Sequence, residues 1–320
     1  MIATTMTMAT MAPVDMRTSS SVGWFPQMLP PTFDLQSHSV HSDGTLPAAE
    51  VVARAATAGV ELLALTDHDT VDGVPEAIEA ARHHGIRLSP AAEISSVHDV
   101  HEDLHILGYG IDHTDATLQE TLHDWRQDRE RRILAMADRL NELGFALDRQ
   151  ELDAKRKEGK PLGRPHLAKA ILAHPDNAAK LAKEDIHGPD ELFPAYLVPG
   201  APAYVARHRP TVAQAIEAIH AANGVAVWAH PFWDLDSANE TLAAIDTFAQ
   251  HGLDGIECFY VTHTEEQTRL LHDAATKRDL LITGSADFHG PDHQRFHAFR
   301  AFSTYGLAPD LTGITRGQTE

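Results

Sequence analysis

The sequence has little cysteine and a shortage of positive charge. Its single cysteine, Cys258, excludes an internal disulfide, fits a reducing compartment and excludes thiolate zinc sites. A bound metal would therefore have to use imidazole and carboxylate ligands. Lysine and arginine number 26 against 46 aspartate and glutamate residues, and the formal net charge of −20 argues against a broad surface for duplex nucleic acid. A small anionic substrate stays compatible with that charge, because bound cations can reverse its sign inside a pocket.

Long apolar runs are also absent. No stretch reaches the roughly 18 apolar residues of a membrane span, so no membrane partner is expected. Residues 1–30 are rich in Met, Thr, Ser and Pro and lack the cationic and apolar regions of a signal peptide, so we interpret them as a disordered tail. Residues 309–320 are interpreted as a second, polar tail. The cytoplasm is the predicted location, and the oligomeric state stays open.

The residues between these tails predict an α/β fold. Apolar runs of strand length alternate with segments of helical periodicity in residues 31–112 and again in residues 201–308, which is typical of βαβ units and a parallel sheet. Residues 113–200 between them show helical spacing and no convincing strand. We therefore expect one barrel-like domain in two parts, interrupted by a helical insertion.

Six of the predicted strand ends carry His, Asp or Glu, in the stretches QSHSVHSD, LTDHD, AAEIS, LHILGYG, WAHP and SADFHG. In parallel α/β proteins, functional side chains collect where strands end and loops begin. Residues two apart on a strand also share a face, so that such pairs can point at one ion. The pattern predicts one polynuclear metal centre with the candidate ligands Gln36, His38, Asp43, His68, Glu93, His105, His230, Asp287 and His289.

Several of these residues have a purely structural explanation when each is taken alone. His105 could be a hydrogen-bonded core histidine, and His230 could end a strand before a proline. Glu93 could begin a helix, and Asp43 could form an Asp-Gly turn. Taken together, however, these explanations require a separate reason for every strand end, whereas a metal centre requires one.

The ordered motifs resemble those of the PHP family, named for its polymerase and histidinol phosphatase members, over residues 32–307. The pattern looks most like the phosphoesterases of that family that act on nucleoside 3′,5′-bisphosphates or short oligonucleotides. The resemblance implies a distorted (β/α)7 TIM-like barrel with a helical insertion domain. It also implies two or three divalent transition-metal ions, which could be Mn, Zn or Fe.

Matched by motif position, the resemblance implies three groups of ligands. One ion would take Gln36, His38, Glu93 and Asp287, a second would take Asp43, His68 and the shared Glu93, and a third would take His105, His230 and His289. Glu93 and Asp287 would act in catalysis through a hydroxide held by the ions. Where the family normally has histidine, this chain has Gln36, and because an amide oxygen is a weaker ligand than imidazole, the first site is expected to be weak, altered in metal preference or empty.

Inside the insertion, the stretch GRPH is the candidate substrate-binding motif. Arg164 offers a planar fork that suits a phosphate, and His166 can add another donor. The alternative is a solvated arginine at a helix start, but the matching stretch in the resembling phosphoesterases lines the substrate pocket. His263, which follows a predicted strand, is a further candidate for contact with substrate, with a surface role as the alternative.

These features predict a metal-dependent phosphoesterase whose partner is a small phosphorylated substrate, in particular a nucleotide. The reaction expected is removal of the 3′-phosphate from nucleoside 3′,5′-bisphosphates, together with cleavage of short oligonucleotides from the 5′ end. A histidinol-phosphate phosphatase and a non-catalytic, metal-stabilised PHP scaffold are the alternatives. The insertion and GRPH favour a nucleotide, Gln36 favours the scaffold, and the other eight candidate ligands favour an enzyme.

Overall fold

The structure is a computed structural model and describes residues 31–150, 152–153, 163–207 and 210–314. The tail predicted for residues 1–30 lies outside the described residues. Within the described ranges, no helix combines the length and the apolar character that crossing a membrane requires.

Seven strands form one sheet in chain order: β1 (Phe33–Asp34), β2 (Leu62–Leu65), β3 (Arg87–His98), β4 (His101–Tyr109), β5 (Val225–Trp228), β6 (Gly255–Tyr260) and β7 (Leu281–Ser285). An isolated parallel bridge joins Ser37 to Phe288, and Leu35 N donates to Gly284 O at 3.2 Å. These contacts bring the first strand beside the last, so that the sheet nearly closes. The prediction of an α/β fold with a distorted barrel is confirmed.

The prediction of an all-parallel sheet is wrong for β4. This strand pairs antiparallel with both β3 and β5, whereas the other strand pairs are parallel. Only Asp99 and Val100 separate β3 from β4, and a parallel connection needs about a dozen residues or more. Asp99 takes a positive φ of 50° to make the turn, so the two strands form a hairpin.

The longer helices cover the barrel, each through one apolar face: α1 (Ala48–Thr57), α2 (Val74–His84), α7 (Val212–Ala221), α9 (Ala238–Gln250) and α10 (Glu265–Thr276). The short helix α8 (Pro231–Asp234) directly follows β5. In α7 the buried residues Val212, Ala215, Ile216 and Ile219 follow helical spacing. The side chain of Thr211 caps the start of α7 by accepting from the backbone N of Gln214. Such faces place the helices outside the sheet and leave the strand ends free for the site.

The insertion contains α3 (Ala116–Glu142), α4 (Arg164–Ala173), a 3₁₀ turn (Pro175–Asn177), α5 (Ala178–Lys183), α6 (Pro189–Leu192) and a π-helical turn (Phe193–Leu197). It has an apolar core of its own, which includes Met136, Leu140 and Ile171. The start of α3 instead buries Leu118 and Leu122 in the core of the barrel. The long helix α3 therefore ties the insertion to the barrel.

The end of the described chain does not behave as the predicted polar tail. Asp310 pairs with Ile282 of β7, and Ile314 is fully buried with its carbonyl oxygen accepting from Ser89 Oγ at 2.8 Å. Residues 309–314 therefore pack against β7 and β3. Residues 315–320 of that predicted tail lie outside the described residues.

Candidate metal centre and substrate cavity

The predicted ligands converge at one end of the barrel around His38, whose side chain is fully buried. Its Nε2 atom lies 3.1 Å from both Glu93 Oε2 and Asp287 Oδ1. Its ring lies against two further imidazoles, with centroids 4.3 Å from that of His289 and 4.7 Å from that of His68. Side chains separated by up to about 250 residues of chain thus form one cluster because the sheet closes.

The first ligand group consists of His38, Glu93 and Asp287, whose ligand atoms all lie within 4.8 Å of one another. His38 Nε2 and Asp287 Oδ1 are buried and make no hydrogen bond of acceptable geometry to any described residue. Buried polar atoms normally have a partner, and two carboxylates with an imidazole are a donor set for a divalent transition metal. A cation between them fits both observations.

The second group consists of Asp43, His68 and His289, again beside His38. The Oδ2 atom of Asp43 lies 3.5 Å from His68 Nε2, and its Oδ1 atom lies 3.5 Å from His289 Nε2. The carboxylate of Asp43 is 46% exposed, whereas both imidazoles are largely buried. This group therefore opens toward solvent on one side, as a site that must admit a substrate requires.

The third group consists of Glu93 and His105 together with His68, which thus belongs to two groups, and with His230 beside them. Glu93 Oε1 lies 2.8 Å from His105 Nδ1 and 3.3 Å from His230 Nε2, and these two nitrogens lie 3.4 Å apart. Because Glu93 Oε2 faces the first group, the two oxygens of this carboxylate contact different groups. Glu93 thus faces both groups, and a cation in either one would have a Glu93 oxygen beside it.

This arrangement differs from the grouping that motif positions implied. His289 lies with Asp43 and His68, and Glu93 lies with His105 and His230. The order of strands explains both sets, since β7, β1 and β2 are neighbours around the barrel, and β3, β4 and β5 are neighbours as well. The strands β3, β4 and β5 follow one another along the chain, whereas β7 and β1 become neighbours only because the barrel closes.

The structure gives Gln36 a role other than that of a ligand. Its Nε2 atom donates to Glu93 Oε2 at 2.8 Å, and its Oε1 atom accepts from Ser285 Oγ at 3.3 Å. The Ser285 hydroxyl also lies 2.6 Å from Glu257 Oε1. Because an amide nitrogen does not coordinate metals, Gln36 in this orientation positions the Glu93 carboxylate instead.

Burial and neighbouring charges shift the pKa values of the cluster in opposite directions. Burial would raise the pKa of Glu93, but His68 and His105 hold it well below its usual range. Burial would likewise lower the pKa of His38, but its contacts with Asp287 and Glu93 hold it well above. Nearby positive charge thus stabilises the ionised carboxylates, and bound cations would supply that charge in place of protons.

The ligand groups form the floor of a cavity of about 530 Å³. Arg129, Arg132 and Arg164 line one part of it, and all three belong to α3 or α4. The guanidinium of Arg164 contacts Asp103 on β4, and Arg129 Nη1 lies 3.2 Å from Asp69 Oδ2. The insertion therefore supplies a basic wall to a metal centre that the barrel supplies.

Sequence reasoning found Arg164 but missed its neighbours in this wall. Arg129 and Arg132 lie three residues apart on α3, and Asp103 lies two residues before His105 on the same strand face. The spacing relative to His105 was therefore a usable signal for Asp103. No comparable sequence signal marked Arg129 and Arg132, because they stand in a helix with many exposed charges.

Two other predicted substrate contacts do not line this cavity. His166 Nδ1 accepts from Gly163 N at 3.0 Å, so that the ring caps the start of α4. His263 is 5% exposed, its Nδ1 lies 3.1 Å from Cys258 O, and burial lowers its pKa to about 4. The structure therefore gives His166 a capping role and His263 a packing role.

The chain is similar in sequence to a known domain family and to named enzymes. The family model described as PHP domain matches residues 34–182. A 5′-3′ exoribonuclease from Haemophilus influenzae is 33% identical over 261 residues, which cover 81% of this chain and 90% of the relative. A 3′,5′-nucleoside bisphosphate phosphatase from Chromobacterium violaceum is 32% identical over 259 residues, covering 81% and 87% respectively.

A solved structure from Bifidobacterium adolescentis, described as a metal-dependent phosphoesterase, aligns with a TM-score of 0.66 and 29% identity over 83% of this chain and 91% of that one. The chain belongs to the PHP family. The prediction of a metal-dependent phosphoesterase is confirmed at the level of this class.

Proposed function

We propose that this phosphoesterase removes the 3′-phosphate of nucleoside 3′,5′-bisphosphates and cleaves short oligonucleotides from their 5′ end. The observation that carries the proposal is a single cavity with three candidate metal groups on its floor and three arginines on its wall. Such a cavity can hold one phosphate for reaction and a second for recognition. The names of the Haemophilus and Chromobacterium relatives support the same substrates.

Two or three divalent transition-metal ions are proposed cofactors, held by His38, Glu93 and Asp287, by Asp43, His68 and His289, and by Glu93, His105 and His230. When bound, such ions polarise phosphoryl oxygens, activate water and stabilise developing negative charge. The chain's own residues then orient the reactants. Glu93 fixes the spacing of two groups, and Tyr260 Oη holds the Asp287 carboxylate by donating to Oδ2 at 2.8 Å.

The arginines of the insertion would recognise the phosphate that does not react. Arg164 presents a planar fork that can contact two phosphate oxygens at once. Its contact with Asp103 and its hydrogen bond from Nη1 to Leu197 O at 3.4 Å fix its position before substrate arrives. A 5′-phosphate bound there would direct the 3′-phosphate, or the first internucleotide phosphate, toward the metal groups.

The two alternatives fit the structure less well. A non-catalytic scaffold would not need eight ligand positions around an open cavity, and these positions do converge. A histidinol-phosphate phosphatase would need to recognise one phosphate and an amine. The cavity wall instead offers several arginines, which suits a substrate with a second phosphate.

We expect the purified protein to contain two or three transition-metal ions per chain, because its ligand groups are built from imidazole and carboxylate. Elemental analysis of the purified protein would give the number and identity of the ions. Removal of the ions with a chelator should abolish phosphate release from adenosine 3′,5′-bisphosphate, and returning Mn²⁺, Zn²⁺ or Fe²⁺ should restore it. Full phosphatase activity in a metal-free preparation would contradict the proposal.

A second expectation concerns the first ligand group. Gln36→His replaces the amide by an imidazole, which is a stronger ligand for transition metals, so metal content or resistance to a chelator should rise. Gln36→Leu is the matched control, because it removes the hydrogen bond to Glu93 without supplying a ligand, and it should lower both quantities. Equal metal content and equal chelator resistance in all three proteins would show that position 36 does not control metal binding.

A further inference from the structure

One part of the cavity lining is aromatic and has no role in the reaction proposed above. Trp233, Phe296 and His293, here called the aromatic surface, all line the cavity. The ring centroids of Trp233 and Phe296 lie 5.7 Å apart, and His293 stacks on Phe296 at 5.0 Å. Two chain segments, α8 and the loop after β7, thus bring their rings together at this place.

Trp233 is unusual in its exposure. Its side chain is 46% exposed, and within the described ranges only Val40, Val100 and Leu143 are other large apolar side chains with comparable access to solvent. The ring is nevertheless held, since it meets His230 edge-on at 6.4 Å and Tyr260 edge-on at 6.5 Å. A fixed, solvent-accessible indole inside a cavity is suited to a planar ligand.

A planar group of the protein itself already lies over the indole ring of Trp233. The guanidinium of the exposed Arg295 lies over it, 5.4 Å from the ring centroid. Such a side chain can move aside at little cost, because it lies in solvent and the contact is individually weak. A stacked base could therefore take its place.

The aromatic surface also lies directly beside the metal groups. Trp233 contacts the ring of His230, and Phe296 lies 5.3 Å from the ring of His289. These two histidines belong to different ligand groups. A base stacked on Trp233 would thus keep the phosphate of the same nucleotide within reach of the floor of the cavity.

We infer that the aromatic surface stacks against the nucleobase of the substrate, with Trp233 as the main contact. The inference rests on the proposed function and adds a specificity determinant to it: the enzyme selects phosphate esters that carry a base over sugar phosphates that do not. Stacking uses the π-face that every base has, so all four bases are accepted. In this arrangement the basic wall binds a phosphate and the aromatic surface binds the base.

The test compares two ligands with the same phosphates and the same 2-hydroxyl, adenosine 3′,5′-bisphosphate and the abasic 1-deoxyribose 3,5-bisphosphate. The wild-type protein should prefer the nucleotide in kcat/KM by roughly tenfold to a hundredfold, the usual effect of one stacked base. Trp233→Ala should remove most of that preference, because kcat/KM should fall far more for the nucleotide than for the abasic ligand. Trp233→Phe, which keeps a ring, should retain most of it.

Leu143→Ala is the matched control, because Leu143 is 37% exposed at the end of α3 and does not line the cavity. Equal use of the two ligands by the wild-type protein, or an equal loss for both in Trp233→Ala, would overturn the inference and leave the proposed function intact. Phosphate release from neither ligand would contradict the proposed function instead. In that case, calorimetric binding of adenosine 5′-phosphate and ribose 5-phosphate to the wild-type and Trp233→Ala proteins still decides whether Trp233 stacks on the base.

Discussion

Replacing Glu93 by alanine should abolish turnover and sharply reduce metal content. The two oxygens of Glu93 face different ligand groups, at 3.1 Å from His38 Nε2 and 2.8 Å from His105 Nδ1. Loss of this carboxylate therefore weakens two groups at once. Because a metal ion contributes several kcal/mol to catalysis and about 1.4 kcal/mol is a factor of ten, the rate should fall by about three orders of magnitude or more.

His289→Ala is the comparison that makes this prediction specific, since His289 belongs to one group only, with His38, Asp43 and His68. We expect it to lower occupancy mainly in that one group, whereas Glu93→Ala lowers it in two, and elemental analysis of both variants gives the difference. A thermal unfolding scan of each variant identifies loss of fold as a separate cause. Equal metal loss in the two variants would refute a bridging role for Glu93.

Much of the fold follows from local pattern. The alternation of apolar runs with helical segments predicted the strands and their helices, because each element must bury one face against the next. The predicted direction of β4 was wrong, because the direction of a strand depends on the length of the connection before it rather than on the strand itself. The hairpin at Asp99 and Val100 is too short for a crossover, and this could have been read from the sequence.

The candidate site was predictable in composition but less so in arrangement. His, Asp and Glu at strand ends have distinctive chemistry, so the members of the cluster could be found one by one. Which of them share an ion depends on the closure of β7 onto β1, which places His289 beside Asp43. That contact is separated by more than 240 residues of chain, and no local pattern encodes it.

The residues that surround the ligands were the hardest to foresee. Trp233 and Arg129 stand in segments whose composition is ordinary for helices, and only the cavity shows that they face the metal groups. Gln36 shows the opposite case, in which a motif position suggested a ligand. Its hydrogen bonds to Glu93 and Ser285 indicate a supporting role that only side-chain orientation can reveal.

Replacing Arg164 by alanine should separate substrate recognition from metal chemistry. Arg164 lies in the insertion and its guanidinium contacts Asp103 rather than any candidate metal ligand. Metal content should therefore stay at the wild-type value. The loss of one charge-assisted phosphate contact is worth roughly 1.5–3 kcal/mol, so kcat/KM for adenosine 3′,5′-bisphosphate should fall about tenfold to a hundredfold. Arg164→Lys should recover only part, because an ammonium group cannot reproduce the fork.

A second substrate shows which phosphate Arg164 contacts. Adenosine 3′-phosphate lacks the 5′-phosphate, so the wild-type and Arg164→Ala proteins should hydrolyse it with the same kcat/KM if Arg164 binds the 5′-phosphate. Arg131→Ala is the matched control, because Arg131 lies on α3 with a side chain that is 69% exposed and does not line the cavity. An unchanged kcat/KM for the bisphosphate in Arg164→Ala, with its metals intact, would instead mean that Arg164 only anchors the insertion to β4 through Asp103. The preference for a substrate with two phosphates would then have to come from Arg129 and Arg132.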